Sequence, residues 1–380
     1  MTPRQPGKEA WDGPVCGLEG ATRIFGADDA QTNEPSSILH HLQQALSTCE
    51  HVYVDLPQHA TIPRQTGRPT KLSLLDYLSP PSPTGYDLFV KKSDFDAVLR
   101  LLHNPRNTRS LAREMDELRS CKSTNELRVM RHAGAISGEA MAAAMRYVRP
   151  GMPESEVQAV FEFECARRGA QRQAYVPVFA SGRNALMIHY VRNDSMVQEG
   201  DVLSVDAGCE FNGYASDITR SFPAGNGGRF TPAQRDIYEV LLNTLKSCTK
   251  LAVASNGYSL AELHRRSVEM LATELRALNF SLTLGVLERV LYPHYLGHWL
   301  GIDLHDTSSI ERSRRLRPGM VLTIEPGLYI PDDPAFPREY RGIGMRVEDD
   351  VAVRDHDNIV LSADAPKEIA DVEGACRGIV

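Results

Sequence analysis

Apolar residues recur along this chain with two periods, one close to that of a helix and one close to that of a strand. Ser37–Cys49 (SILHHLQQALSTC) has helical spacing, and Glu50–Leu56 (EHVYVDL) alternates like a strand. Thr61–Gly85 is rich in Pro, Thr and Gly and reads as loop, after which Ser93–Leu102 is helical again. Trp11 to about Arg113 is therefore expected to form a partial α/β unit, with a boundary near Ala112–Cys121. Beyond it, Ser123–Glu126 (STNE) has the Ser and Glu of a capping box. The helix it opens is expected from Leu127 to about Val148, and its Ala133, Gly134, Ala135 and Gly138 imply close packing against a neighbour. Pro153 starts a second helix, with Val157, Val160 and Phe161 at helical spacing until Gly169. Two more amphipathic helices are expected over Phe230–Ser255, entered through Thr231-Pro232, and Leu260–Leu278. Strand, helix and strand segments occur in both halves of Ser123–Val353, with no residue-level repeat. The tail after Val353 is expected to pack at an edge and then fray.

The most specific local pattern is DVLSVDAGCEFNGYASDITRSF, Asp201 to Phe222. Asn212-Gly213 between two β-forming runs predicts a hairpin, because both central residues of a type I′ turn need positive φ. That turn sets Phe211 opposite Tyr214, Gly208 opposite Asp217 and Asp206 opposite Thr219. Asp206 and Asp217 then share a face as diagonal neighbours, with Cα atoms roughly 7–8 Å apart. Gly208 is expected to leave room beside them. Two carboxylates this close repel unless a cation or proton lies between them. Two surface acids on a solvated hairpin remain the alternative at this point.

Three later segments bear on that choice. HYLGHWLGIDLHD spans His294–Asp306, VLTIEPGL spans Val321–Leu328 and GMRVEDDV spans Gly344–Val351. His294 and His298 are four apart, as in HExxH zinc proteases, but position 295 is Tyr, so that class's glutamate base is absent. Gly297 and Gly301 argue against a long helix here. Glu325 ends a short apolar strand stopped by Pro326-Gly327, and Glu348 lies in a strand-like run with Arg346 on the same face. Asp206, Asp217, Glu325 and Glu348 with His298 make an oxygen-rich donor set. Such a set suits paired hard-to-borderline divalent ions such as Mn²⁺ better than a thiolate-type zinc site.

With these motifs in family order, the chain resembles the metal-dependent aminopeptidase P and prolidase family of the pita-bread fold. It is most similar to the mitochondrial aminopeptidase P type, which includes the intermediate-cleaving peptidase of fungi. The resemblance covers about Glu114–Glu373, plus WDGPVCGLEGA at Trp11–Ala21. It implies a mixed α/β (α+β) architecture: a pita-bread catalytic domain with pseudo-symmetric halves over residues 114–380, preceded by a partial creatinase-like domain over residues 1–113. It also implies that the chain begins inside that N-terminal domain. It implies two divalent metal ions held by Asp206, Asp217, His298, Glu325 and Glu348. Glu325 is then the acid/base, while His294 and His305 bind substrate and stabilise oxyanion charge. His189 and Arg346 order the pocket. Tyr175–His189 resembles the family's substrate-pocket strand and loop, so Tyr175 and Tyr329 are candidate pocket walls, although a packed aromatic is also open for Tyr175.

The activity so implied is a metallo-aminopeptidase of the Xaa-Pro type, acting on peptides with a free N-terminus. An intermediate-cleaving peptidase without a strict proline requirement and a prolidase are the enzyme alternatives. A non-catalytic, partner-binding family member is the alternative from a different class. A mitochondrial location follows from the same resemblance, with the cytoplasm as the other choice, and a homo-oligomer is left open.

Composition agrees with this picture. The 380 residues are 42% hydrophobic and 24% charged, ordinary for a globular protein. The net charge of −7 does not point to nucleic acid, and no apolar run of about 18 residues predicts a membrane span. The seven cysteines are far apart and form no CxxC pair, which fits unpaired thiols in a reducing interior. Cys209, on the opposite face from Asp206, is read as packing.

Overall fold

The computed structural model describes residues 16–30, 35–54, 92–102, 108–283 and 285–379. The chain divides into two compact units, Met1–Ala112 and Arg113–Val380. In the first, helices α1 (Gly17–Phe25) and α2 (Pro35–Thr48) precede strand β1 (Val52–Val54), and helix α3 (Lys92–Leu102) precedes strand β2 (Thr108–Ser110). β1 and β2 pair in parallel, Val52 opposite Thr108. A parallel pair needs a crossover, and α3 lies within it. The expected loop at Thr61–Gly85 and the end of the Glu50–Leu56 run lie outside the described residues.

Helix α4 (Ala112–Ser120) leads into the second unit, where α5 (Thr124–Tyr147) begins at the expected box. The Ser123 hydroxyl accepts from the Glu126 amide, and the Glu126 carboxylate accepts from the Ser123 amide at 2.7 Å. The small-residue face of α5 is a close contact. A Cβ on Gly134 would lie 2.4 Å from the Leu361 carbonyl oxygen, and one on Gly138 would lie 2.6 Å from the Ala365 nitrogen. Helix α6 (Glu154–Arg167) follows, capped by Pro153.

Six short strands come next: β3 (Arg172–Gln173), β4 (Val178–Ser181), β5 (Val202–Asp206), β6 (Cys209–Phe211), β7 (Tyr214–Ala215) and β8 (Thr219–Pro223). They form two antiparallel sheets, β4-β5-β8 and β3-β6-β7. Helices α7 (Pro232–Leu251) and α8 (Leu260–Ala277) both start at capping boxes, Thr231 with Gln234 and Ser259 with Glu262, and Pro232 stands in the first turn of α7. The last strands are β9 (Val321–Ile324), β10 (Gly327–Tyr329), β11 (Gly344–Arg346), β12 (Asp349–Val353) and β13 (Asn358–Val360), followed by helix α9 (Ile369–Cys376). β12 is central between β9 and β13, and β10 pairs with β11. The expected continuous strand through GMRVEDDV is thus two strands in different sheets. Val347 and Glu348 sit at the changeover, where the Glu348 amide donates to the Thr219 carbonyl at 3.0 Å.

The core runs through Phe161, Phe179, Leu203, Ile218, Phe222, Ile237, Leu241 and Leu322, all fully buried. A buried cation ties the two halves of the unit together across it. Arg220 on β8 donates to Asp349 Oδ1 on β12 at 2.8 Å, and to the carbonyls of Thr219, Pro366 and Ala365 at 2.9, 2.9 and 3.1 Å. Lys367 also pairs with Asp349. The tail packs at an edge, as expected, but it stays ordered through α9, and only residues 377–379 after that helix are all exposed. β13 is an edge strand, but α9 buries Val372 and Ala375, Leu361 closes on Gly134 and Ala365 closes on Gly138. The buried Asp349 needs Lys367, and the bare face of α5 needs a cover. All seven cysteines are free, and Cys209 packs with its thiol toward the Ala133 carbonyl at 3.6 Å. Among the described residues no helix is long and apolar enough to cross a membrane.

Gly134→Ala should destabilise the protein by about 2 kcal/mol, because an added methyl must displace backbone rather than a flexible side chain. A thermal melt reads this directly. An unchanged or higher melting temperature would show that the α5 contact can relax.

Candidate metal centre

The hairpin has the register read from its turn. Asn212 and Gly213 have φ of 49° and 81°, both positive as a type I′ turn requires. Phe211 pairs with Tyr214, and Asp206 with Thr219. Between these pairs the ladder passes from one sheet to the other, with Ala207 bonded to Ile218 and Ser216 to Cys209. Asp206 and Asp217 do converge, since the Tyr175 hydroxyl lies 2.6 Å from a carboxylate oxygen of each. The room expected beside Gly208 is absent. It is taken by backbone, because a Cβ there would lie 1.9 Å from the Ser216 carbonyl oxygen. Gly208 permits the strands to close; it does not open a cavity.

The histidine motif is extended, not helical. The Glu325 amide donates to Leu296, Thr323 to His298, and Leu300 to Val321, so residues 296–300 run antiparallel along β9. Gly297 allows this, as a Cβ would lie 1.9 Å from the Thr323 carbonyl oxygen. His298 Nδ1 donates to the Trp299 carbonyl at 3.0 Å. In the neutral ring the lone pair is then on Nε2, which lies 3.1 Å from Asp217 Oδ2 and 3.9 Å from Glu325 Oε1. His294 repeats the device, with Nδ1 donating to Tyr295 at 2.8 Å and Nε2 accepting from the Tyr329 hydroxyl at 3.1 Å.

Arg346 is the cation of the centre. It donates to Asp206 Oδ2, to Thr219 Oγ1 at 3.0 Å and to the Tyr329 hydroxyl at 2.7 Å. It lies 3.9 Å from Glu325 and 4.0 Å from Glu348. The Thr219 hydroxyl in turn donates to Glu348 Oε2 at 2.5 Å.

Ligand atoms of Asp217, His298 and Glu348 all lie within 4.8 Å of one another, with Asp206 and Glu325 beside them. Burial pushes Asp206 upward, only partly offset by Arg346, and pushes Glu325 up to about 7. Burial also holds Glu348 well above the carboxylate range, reinforced by Asp217. Asp217 is the exception: burial would raise it, but the His298 hydrogen bond and charge bring it below its ordinary value. Burial would lower His298, but Asp217 and then Glu325 carry it to about 9. Four carboxylates thus face one guanidinium and one imidazole, with oxygen donors converging in a buried space. That donor chemistry fits a divalent cation.

His305 stacks edge-on against His298, with ring centroids 4.4 Å apart and planes at 78°. His189 is exposed, and its charge is one of the smaller effects lowering His294 and His305. Tyr175 is tied to the two aspartates through its hydroxyl, a role that its reading as a pocket wall did not contain. Tyr329 is buried between His294 and Arg346.

Four residues escaped the sequence reading. Thr219 and Thr323 orient the carboxylates, Thr323 Oγ1 lying 3.3 Å from Glu325 Oε1. Asp350 accepts from the Asp217 amide at 3.1 Å while its other oxygen is unpartnered. Glu154 is fully buried and accepts from the amides of Ser181 and Ser195, from Asn184 and from the Tyr190 hydroxyl, which fixes both ends of the segment carrying His189. The run of three acids at 348–350 was a signal for Asp350. Nothing local marks a first-turn glutamate as buried.

These shifts give a test on the metal-free protein. His298 at about 9 and Glu325 at about 7 are both raised above their ordinary values, 6.5 and 4.5. The folded state therefore binds the extra protons, and their stabilisation, full below the unfolded values, is lost as pH rises through the folded ones. Chelator-stripped protein should melt lower at about pH 9.5 than at about pH 6. Divalent-ion affinity should move the opposite way, because binding displaces those protons. Melting scans and metal titrations over that range check both signs.

Residues 128–355, which hold all of these side chains, match the model of Metallopeptidase family M24. The chain is 35% identical over 378 residues to intermediate cleaving peptidase 55 of Saccharomyces cerevisiae, covering 99% of this chain and 70% of that one. It is 36% identical over 380 residues to Xaa-Pro aminopeptidase 3 of Mus musculus, covering 98% and 69%. Among solved structures, aminopeptidase P from E. coli superposes with a TM-score of 0.83 at 32% identity, covering 100% of this chain and 82% of that one. The pita-bread architecture follows from that superposition, and the chain belongs to metallopeptidase family M24, in its aminopeptidase P and intermediate-cleaving group.

Proposed function

We propose that the protein removes a single N-terminal residue from peptides, with proline favoured at the second position, using two divalent ions that are Mn²⁺ in the native enzyme. The observation that carries the reading is the convergence of Asp206 and Asp217 on one hydroxyl, beside His298, Glu325 and Glu348. These five side chains would hold the ions. When bound, divalent ions supply the Lewis acidity that activates water and polarises a carbonyl.

The chain's own residues divide the remaining work. Asp206 is clamped by Arg346 and Tyr175, and Glu348 by Thr219. Among the described residues Glu325 accepts one side-chain hydrogen bond, from the Thr323 hydroxyl at 3.3 Å, with His294, His298 and Arg346 no closer than 3.8 Å, so it is the carboxylate freest to take and return a proton. The surplus of acid attracts the ammonium of a free peptide N-terminus. His294 is neutral, since burial pushes it down to about 3, and its Nε2 is an acceptor. Stabilisation of a developing oxyanion therefore falls to His305 in place of His294. Proline lacks an amide N–H, so a site that accepts it does without that hydrogen bond.

An intermediate-cleaving specificity is the second reading, favoured by the near-equal identity to relatives named for each activity. One such relative, from Arabidopsis thaliana, is named as mitochondrial. A mitochondrial location is proposed here as well, and cell fractionation with an antibody to the protein would test it.

Asp217→Ala should lose bound metal and lower kcat/KM well beyond the roughly 10–100-fold typical of outer partners, with an unchanged circular dichroism spectrum. Elemental analysis of the parent should find two ions per chain; full activity in folded, metal-free protein would sink the proposal. A peptide panel with Mn²⁺, read by mass spectrometry, should show loss of the first residue from Xaa-Pro peptides longer than two. Cleavage of Xaa-Pro dipeptides alone would indicate a prolidase. Release of Tyr, Leu or Phe before other residues would indicate the intermediate-cleaving type. No cleavage with both ions bound would leave a partner-binding protein.

A further inference from the structure

We propose that Asp306 is a positioning residue, which holds His305 against the His298 ring through a buried clamp with Lys122 and Arg119. The role assigned to His305 rests on the peptidase reading above. The clamp itself is visible in the packing. The side chains of Lys122 and Asp306 are 2% and 1% exposed, and Lys122 Nζ donates to Asp306 Oδ2 at 2.9 Å. Arg119 donates to the other oxygen and reaches Asp303 as well. The Asp306 amide donates to the Trp299 carbonyl at 2.9 Å, next to His298. Gly301 makes room for the carboxylate, as a Cβ there would lie 2.4 Å from Asp306 Oδ2. The far side of the clamp is fixed too, because the Lys122 amide donates to Gly319 at 2.7 Å, just before β9.

The next residue shows what the clamp works against. Thr307 has φ of 45°, a left-handed conformation that a β-branched residue rarely adopts. It is buried, and its hydroxyl has no partner. The two residues after His305 thus combine an ion pair removed from water, a strained backbone and an orphaned hydroxyl. Each is unfavourable alone. A loop selected only for packing would use an apolar anchor and glycine here. Such strain persists where the surroundings over-determine it, characteristically beside a functional group. The group beside it is the His305 ring, stacked on a candidate metal ligand.

The test uses Asp306→Asn, the charge-neutral pair Asp306→Asn with Lys122→Met, Thr307→Gly and His305→Ala, all in the full chain with metal added. The paired variant guards against unfolding, since the single one leaves a lysine buried without its acid. It should keep parental metal content and KM, and its kcat should fall roughly 10–100-fold. In a His305→Ala background the same change should cost nothing further, because both act through one ring. Thr307→Gly removes the strain but not the clamp, so it should keep kcat and raise Tm. NMR of the histidine rings gives a readout independent of turnover: the His305 resonances should move in the paired variant and stay in Thr307→Gly. If the parent cleaves no peptide, the peptidase reading fails, and the ring resonances still decide on the clamp. Unmoved His305 resonances in the folded paired variant would overturn it, as would a loss of kcat that multiplies with that of His305→Ala, or a slowed Thr307→Gly.

Discussion

Four carboxylates sharing one buried space is the condition on which the rest of the second unit depends. Two such charges about 5 Å apart repel by on the order of 3 kcal/mol at an effective dielectric of about 20, and burial adds to the cost. The structure answers with donors aimed from different elements. Arg346 reaches Asp206, Tyr175 bridges Asp206 and Asp217, Thr219 bonds Glu348, and His298 faces Asp217. One guanidinium and one imidazole do not neutralise four acids. Burial first, and then the charge of the neighbouring acids, holds most of these carboxyls above their ordinary range, and the residual negative charge favours a cation among them.

That requirement explains why so many elements end at the centre. Asp206 closes β5, Glu325 follows β9, Arg346 closes β11, and Glu348 sits where the chain leaves one sheet for another. A strand end frees a side chain from the alternation of the sheet, while the backbone behind it stays fixed by ladder bonds. Around the centre the same unit buries further charge: Arg220 with Asp349 and Lys367, Lys122 with Asp306, and the five-donor shell of Glu154. Pairs of this kind add little net stability over apolar packing, but breaking one leaves an uncompensated charge. They specify one arrangement of the loops that carry His189 and His305.

The local code was legible wherever a residue type had a single physical use. Asn212-Gly213 set the turn, and the count of residues from it set the facing pairs down to Asp206 with Thr219. Ser123 with Glu126 and Thr231-Pro232 marked helix starts, and Gly134 with Gly138 marked a close helix contact. Where a reading depended on what lay across from a residue, it failed or fell short. Gly208 read as open space and is filled by the Ser216 carbonyl. The tail read as packing at an edge and then fraying, and it is drawn in further, by Asp349 and the face of α5.

The sequence by itself determined which carboxylates and which imidazole are the candidate donors and their order, because alternation along strands and the chemistry of carboxylate and imidazole act over a few residues. Only the tertiary structure decided which oxygen each donor holds, why His294 is an acceptor, and that Glu154, Thr219 and Asp306 are drawn into buried polar contacts. Burial and Coulomb interaction act across space, between residues such as Arg346 and Asp206 that lie far apart in the chain. A threonine or a glutamate looks the same in the sequence whether water or a guanidinium waits at its side.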